Sequence, residues 1–230
     1  MPSPDRDDRQ RLATAYERLL TDEHSSRWSL DNPGNQAGLA ERLRIFSELT
    51  AHRLPSRRLQ VLDLGCGSLS LLDSSLNVEI TIGVDLLFSR LTDLRAAGSQ
   101  TPTVNANGAT LPFPANTFDV VVLSTMMSSV LDSQVRHSVG REVERVLRGG
   151  GALLWYDFRF PNPRNRATRA VGHRELRKLF PSLIGEIKSL TVLPPLARRV
   201  GRLSPRAYPL LARLPFVRSH LAACLVKPTQ

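Results

Sequence analysis

The sequence predicts an α/β domain: a doubly wound, mostly parallel sheet with helices on both faces. Two observations predict it. Short apolar runs recur from Leu59 onward, LQVLDL, VEITIGVD, PTVNA, FDVVVLS and ALLWYDF, each the length of a buried strand and bounded by glycine, proline or polar residues. Between them lie segments with helical spacing of apolar side chains, and this alternation is the pattern of strands linked by crossover helices.

The elements follow in order. Asp5 to Leu20 carries Leu12, Ala15, Tyr16, Leu19 and Leu20 at helical intervals. A loop, S-S-R-W-S-L-D-N-P-G-N, has turn chemistry at Asn32-Pro33-Gly34. Leu39, Leu43, Ile45, Phe46 and Leu49 mark a second helix ending near Arg53, before Pro55. Helix-like pieces then separate the strands at Ser68–Leu76, Leu86–Ala97 and Ser133–Leu147. The last is capped by Asp132 or Ser133 and stopped by Gly149-Gly150-Gly151. Beyond Phe158 come a Pro/Arg/Asn-rich loop, a helix at His173–Phe180, and two more strands, IGEIKSLTVL and HLAACLV. Pro194–Arg218 lies between these strands. It interleaves Leu196, Val200, Leu203, Tyr208, Leu210, Leu211 and Leu214 with arginines, which predicts one or two short basic amphipathic helices.

The 230 residues suit one domain with a cap. With 41% hydrophobic and 23% charged residues the chain can bury a core, so disorder throughout is excluded. No apolar run approaches the length of a membrane span. The polar start MPSPDRDDRQR lacks the apolar stretch of a secretory signal, so a cytoplasmic location is expected. Cys66 and Cys224 are the only cysteines, which leaves no disulfide scaffold and no cysteine-based zinc site; no metal is expected.

The formal charge of +10 is unevenly spread. Residues 158–230 hold fifteen basic side chains and two acids, Glu175 and Glu186, whereas residues 1–157 are slightly acidic. Such a patch attracts nucleic acid, an anionic small substrate or an anionic membrane. It is also what an arginine-favouring composition would produce, since only three of the 31 basic residues are lysine.

The sharpest motif is Val61-Leu62-Asp63-Leu64-Gly65-Cys66-Gly67-Ser68, an apolar strand running into a Gly-x-Gly turn. The glycines let backbone approach a ligand closely. Asp63, at the strand end, is placed to accept hydrogen bonds from a cationic or amine-bearing ligand. Asp85 ends the next strand, in Gly83-Val84-Asp85, where a carboxylate suits a two-oxygen grip on ribose hydroxyls. Further on stand Asn107-Gly108-Ala109-Thr110-Leu111-Pro112-Phe113, then Thr117-Phe118-Asp119-Val120-Val121, and Arg141-Glu142-x-x-Arg145-Val146-Leu147-Arg148-Gly149-Gly150-Gly151.

Over Leu59–Asp157 these four motifs, in this order, resemble the class I S-adenosylmethionine-dependent methyltransferases, in particular the small-molecule type that includes the ubiquinone/menaquinone-biosynthesis methylases. The resemblance implies a Rossmann-like, seven-stranded, mostly parallel sheet, with an N-terminal helical cap (1–56), a cofactor-binding half (57–157) and a substrate-side half (158–230) carrying a basic helical insert (194–218) before the last strand. It implies S-adenosyl-L-methionine as cofactor. Asp63, Gly65 and Gly67 would line its methionine side, Asp85 its ribose, Asn107 and Gly108 its adenine, and Ser124 and Thr125 the methyl group. Cys66, Leu86 and Ala109 complete the cofactor-binding set.

Two positions depart from the family pattern. Leu69 stands where a third glycine is usual, and Asn107 where an aspartate is usual, which keeps an acceptor oxygen but loses the charge. The flanking R-W-S-L-D-N-P-G-N and W-Y-D-F-R-F-P-N-P-R-N resemble a bacterial subgroup of the same enzymes. There Arg27, Trp28 and Asn32 would fold over the cofactor, with Arg27 on its carboxylate, unless Trp28 serves only to join the N-terminal helices. Tyr156, Asp157, Arg159, Asn162 and Asn165 follow the fifth strand at the expected substrate mouth. Tyr156, Asp157 and His137 are the candidate bases. His173 and His220 are more simply structural, Cys66 a small buried filler, and Met126 and Met127 apolar lining.

The expected reaction is methyl transfer to a small-molecule, glycan or lipid-linked acceptor, anionic in view of the C-terminal charge, with peripheral contact of 194–218 to an anionic membrane as a further expectation. A nicotinamide-dependent oxidoreductase is disfavoured by the motifs downstream of Gly67. An RNA methyltransferase is disfavoured by the 6% aromatic content and by Ser124-Thr125-Met126-Met127, where an amino-methylating enzyme would carry N-P-P-Y. A non-catalytic protein retaining the fold is the remaining alternative.

Overall fold

The computed structural model of the protein describes residues 10, 11, 13, 14, 29–67, 76–161, 165, 167–203 and 207–229. Arg27, Trp28 and Asn162 lie outside them, as do most of the expected helices Asp5–Leu20 and Ser68–Leu76; the described residues 10, 11, 13 and 14 are helical. The described elements are α1 (Pro33–Thr50), β1 (Leu59–Leu64), β2 (Val78–Asp85), α2 (Phe88–Ala96), β3 (Thr103–Asn105), β4 (Phe118–Ser124), α3 (Ser133–Val146), β5 (Leu147–Phe158), α4 (His173–Leu179), β6 (Ile184–Val192), α5 (Pro194–Leu203), α6 (Ala207–Leu211) and β7 (Arg218–Val226). Single 3₁₀ turns follow β4 at Met127–Ser129 and precede β7 at Pro215–Val217.

The sheet has seven strands in the order β3-β2-β1-β4-β5-β7-β6. All pairs through β5 are parallel, and β7 runs antiparallel to both β5 and β6. The chain reverses direction on either side of β1, so the carboxyl ends of β1, β2 and β4 border the crevice where ligands bind in such sheets. Because β6 runs parallel to β5, α5 and α6 leave its carboxyl end and overhang the same rim.

Both faces of the sheet are buried. Trp155 points to the α3 and α4 side, 5.9 Å from Phe180, and Tyr156 to the α1 side with Phe46 and Leu154. Neighbours in a strand alternate faces, so these two adjacent aromatics anchor different layers.

Two boundaries differ from expectation for local reasons. Asn32-Pro33-Gly34 is not a free turn: Asn32 Oδ1 accepts the Gly34 N–H at 2.9 Å as an N-cap, and Pro33 fills the first helical position. Gly149-Gly150-Gly151 does not stop α3, which ends at Val146; the glycines lie inside β5 at a bulge. Gly150 has φ +77°, and a side chain at Gly151 would meet the Asp119 carbonyl oxygen at 2.9 Å.

α1 and α5 cross backbone to backbone. A Cβ at Gly34 would come within 2.0 Å of the Ala197 oxygen, and one at Gly201 within 2.3 Å of the Gly34 nitrogen. Buried Glu41 extends this junction, accepting from Tyr208 Oη at 2.9 Å and from Thr191 N at 3.0 Å. α1 and the insert before the last strand therefore form one roof.

Candidate cofactor crevice and acceptor rim

The crevice is built from the ends of four strands. After β1, the N–H groups of Gly65 and Cys66 both donate to the Val84 carbonyl, at 2.7 and 3.1 Å, which bends the loop toward β2. Gly65 (φ +75°) and Gly67 (φ +53°) occupy the left-handed region that favours glycine. Asp85, at the end of β2, accepts from Gly67 N at 3.0 Å with one carboxylate oxygen and from Leu87 N at 2.9 Å with the other. Asp63 is buried at the end of β1. Cys66 lies among these acids; burial, with Asp63 and Asp85 nearby, pushes its thiol up to about 12, so it stays protonated and is a filler.

The loop after β3 closes on itself, Asn107 Oδ1 accepting from Ala109 N at 2.9 Å. It is held from behind by α3. Glu142 accepts the Leu111 N–H at 2.7 Å and a two-pronged pair from Arg145, whose guanidinium also reaches the carbonyls of Phe113 and Leu111. The pairing lowers the Glu142 pKa and raises that of Arg145. Glu142 and Arg145 of the Arg141-Glu142-x-x-Arg145 motif thus brace the 107–113 loop. Met126 joins the loops: a Cβ at Gly65 would meet its Cγ at 2.5 Å, and one at Gly108 its Cε at 3.2 Å.

Ser124 and Thr125 end β4 beside them. Thr125 has φ +52°, unusual for a β-branched residue and worth about 1–3 kcal/mol of strain. Its N–H donates to Tyr156 O at 2.7 Å, which holds the turn.

Polar side chains at and beyond the end of β5 are mostly engaged with neighbouring groups. Asp157 is buried, accepting from Ser128 N at 2.8 Å and Phe158 N at 2.7 Å; desolvation raises its pKa to about 6 despite these donors. Tyr156 Oη lies 2.9 Å from Thr191 Oγ1, its ring stacks on His220 at 4.7 Å, and the Arg42 guanidinium sits 5.1 Å from its centre. Burial raises the Tyr156 pKa. Arg159 donates to Pro215 O at 3.1 Å, and Asn165 closes a local turn with Ala167. His137 is exposed on α3 and Leu86 is half-buried after β2.

Sequence reasoning missed Arg136. Its side chain is fully buried and its guanidinium donates to Val130 O (2.6 Å), Arg169 O (2.6 Å) and Glu175 Oε1 (2.8 Å). Arg169 in turn donates its N–H to Ser128 O at 2.7 Å. The segment behind Asp157 is therefore braced by one buried cation, whose pKa desolvation lowers. A signal was present: Arg136 lies on the apolar stripe of Val139, Val143 and Val146. Arg11 was missed too; it donates to Ser129 O at 2.8 Å and so reaches the turn after β4 from the N-terminal segment.

His220 and Asp157 make opposite contributions to acid stability. Burial, then Arg42, lowers His220 to about 3 from an ordinary 6.5. The unfolded chain takes up that proton and the native state does not, so this contribution is complete above pH 6.5 and is lost as pH falls toward 3. Asp157 is protonated in the native state between about pH 6 and 4, so its contribution grows as pH falls. Urea unfolding at pH 7 and pH 4.5 will show His220→Phe losing about 2 kcal/mol less than the parent over this interval, and Asp157→Asn losing more. An unchanged slope in His220→Phe would mean that the ring titrates normally.

Part of the chain matches known proteins in sequence, and its fold matches solved structures. Residues 62–155 match the family model described as a methyltransferase domain. Over that segment the chain is similar to the methyltransferase-domain family. It is 32% identical over 116 residues to a putative methyltransferase of Encephalitozoon cuniculi, covering 50% of this chain and 53% of that one. It is 30% identical over 113 residues to the ubiquinone/menaquinone biosynthesis C-methyltransferase of Shewanella oneidensis, covering 48% and 38%. The chain thus spans about half the length of the first of these relatives and less of the second. Among solved structures it is similar in fold to the YcgJ protein of Bacillus subtilis (TM-score 0.58, 17% identity, covering 82% of this chain and 98% of that one). It is likewise similar to a SAM-dependent methyltransferase from Archaeoglobus fulgidus (TM-score 0.59, 17% identity, covering 84% and 94%). The matched segment begins inside β1 and ends at Trp155, leaving out β6–β7 and also α1 and the insert, which form the roof.

Proposed function

We propose that the protein is an S-adenosylmethionine-dependent methyltransferase acting on a small-molecule, glycan or lipid-linked acceptor that carries negative charge. The observation that carries this reading is the pair of carboxylates, Asp63 and Asp85, ending adjacent parallel strands on either side of a left-handed Gly65–Gly67 turn. The donor set fits the cofactor. Each Asp85 oxygen receives one backbone N–H and retains a lone pair for a ribose hydroxyl. Asp63 provides an acceptor for the α-amino group, the glycines admit the methionine portion without Cβ atoms in its way, and Asn107, Gly108 and Ala109 form a braced ledge for the adenine.

When bound, the cofactor supplies a methyl group already activated by its sulfonium. The chain's own task is alignment and exclusion of water. Tyr156 is a protonated phenol turned to Thr191, Asp157 is held by two N–H groups, and His137 faces solvent, so we assign these side chains no proton abstraction. The excess of arginine beyond residue 157 supports an anionic acceptor.

Calorimetry with S-adenosylhomocysteine will show micromolar binding to the parent protein and, in Asp85→Ala, a loss of at least about tenfold, the value of one hydrogen bond to a charged group. Absence of binding to the parent overturns the reading. Tritium transfer from labelled cofactor into an extract, absent in Asp85→Ala, separates an enzyme from a binding protein.

A further inference from the structure

The insert turns one face inward and leaves another uncovered. Ala197, Tyr208 and Val217 are buried with Val192, against Ala37 of α1. Outward stand Leu210 (62% exposed), Phe216 (71%), Leu193 and Leu214, with Phe160 from the loop after β5. These are five of the ten large apolar side chains exposed among the described residues, and all belong to the rim. Backbone contacts gather them: Leu193 N donates to Val217 O at 2.8 Å. Arg159, which reaches Pro215 O beside Phe216, lies 4.3 Å from the centre of the Phe160 ring. Scattered exposed leucines are ordinary, whereas a group of this size marks a contact surface.

Charge indicates what it contacts. Residues 193–218 contain six arginines and no acid. The two acids of the last third are already engaged, Glu175 with Arg136 and Arg169, and Glu186 with Arg53 and Lys188. Arg199, Arg202 and Arg213 are exposed on the insert. Apolar side chains beside unopposed arginines form a surface for the interface of an anionic bilayer: phosphates meet the guanidinium groups while the apolar tips enter the headgroup boundary.

We propose that the α5–α6 insert, with the Pro215–Val217 turn and Phe160, docks the protein on anionic lipid. Three of the five apolar residues are aliphatic and offer no π-face, which disfavours single-stranded nucleic acid. A two-fold contact between copies would set these arginines against their own image. Because the insert overhangs the carboxyl ends of the strands, docking holds the rim against the membrane. Resting on the reading above, this deepens it: the acceptor is a lipid-linked or lipid-dissolved molecule taken from the bilayer.

The test uses the full chain without cofactor, sedimented with vesicles of phosphatidylglycerol and of phosphatidylcholine. The protein will sediment with the first, much less with the second, and less in high salt. Leu210→Ser with Phe216→Ser will weaken partitioning by about tenfold or more. Arg199→Gln, Arg202→Gln and Arg213→Gln will each weaken it about fivefold on anionic vesicles only. An unchanged thermal melt in these surface variants shows that the fold is intact. No preference for anionic vesicles overturns the proposal, as does an apolar pair that proves dispensable, self-association that buries the patch, or tight RNA binding without vesicle binding. Vesicle binding that persists where S-adenosylhomocysteine binding fails would remove the enzymatic reading and leave the docking surface standing.

Discussion

Arg136→Ala will lower the free energy of unfolding by about 3–5 kcal/mol, the scale for removing one member of a buried charged network. The loss has two sources. The part-buried carbonyls of Val130 and Arg169 lose their donor, at about 1 kcal/mol each. The vacated volume also leaves a hole beside Glu175. Glu175 itself keeps Arg169 at 3.1 Å, so it is not stranded. Arg136→Lys will recover only part of the loss, because an ammonium cannot present the planar fork that reaches three acceptors. Chemical denaturation measures the effect. A cost under about 1 kcal/mol would mean that the guanidinium is solvated in solution.

Gly34→Ala will cost about 3 kcal/mol, at or above the upper end of overpacking effects. The new methyl would lie 2.0 Å from the Ala197 oxygen, and backbone on both sides of a helix crossing cannot swing aside as a side chain can. Gly201→Ala meets the same crossing from the other helix, so the two substitutions together will cost less than their sum. Gly172→Ala, with no atom within 4 Å and an extended backbone, will be close to neutral and serves as the control. Limited proteolysis will find the insert first in the Gly34 and Gly201 variants. Near-neutral melts in both would show that α1 and α5 do not touch in solution.

Much of the sheet was legible because its signals are local. β2 and β4 coincide with the apolar runs VEITIGVD and FDVVVLS. β5 was legible only from Ala152 because its first turn of chain contains three glycines, which usually end regular structure. They survive in the strand because Gly150 N pairs with Lys227 O, Lys227 N with Gly151 O, and Lys227 Nζ with Leu147 O. In the crevice, Asp63, Gly65, Gly67 and Asp85 were legible because each directly follows or ends a recognisable strand.

What escaped notice was nonlocal. Arg136 is bound mainly by carbonyls, and every residue has one, so no sequence pattern names its partners. Gly34 and Gly201 matter only to one another. Each alone is indistinguishable from a glycine in any helix, and their meeting depends on the path of six intervening strands. Glu41 and Tyr208 are likewise separated by 167 residues.

The roof has a consequence for the order of assembly. The polar partners of Glu41 on α1, Thr191 and Tyr208, lie 150 and 167 residues further along the chain. On a ribosome the helix is made early and its seat is made last. The crevice strands through β5 can pair while α1 waits with Ile45, Phe46 and Leu49 only partly sheltered by β1 and β4. The nascent chain thus completes the crevice strands before the roof that overhangs them, and the unseated α1 is the surface a chaperone would have to guard in the interval.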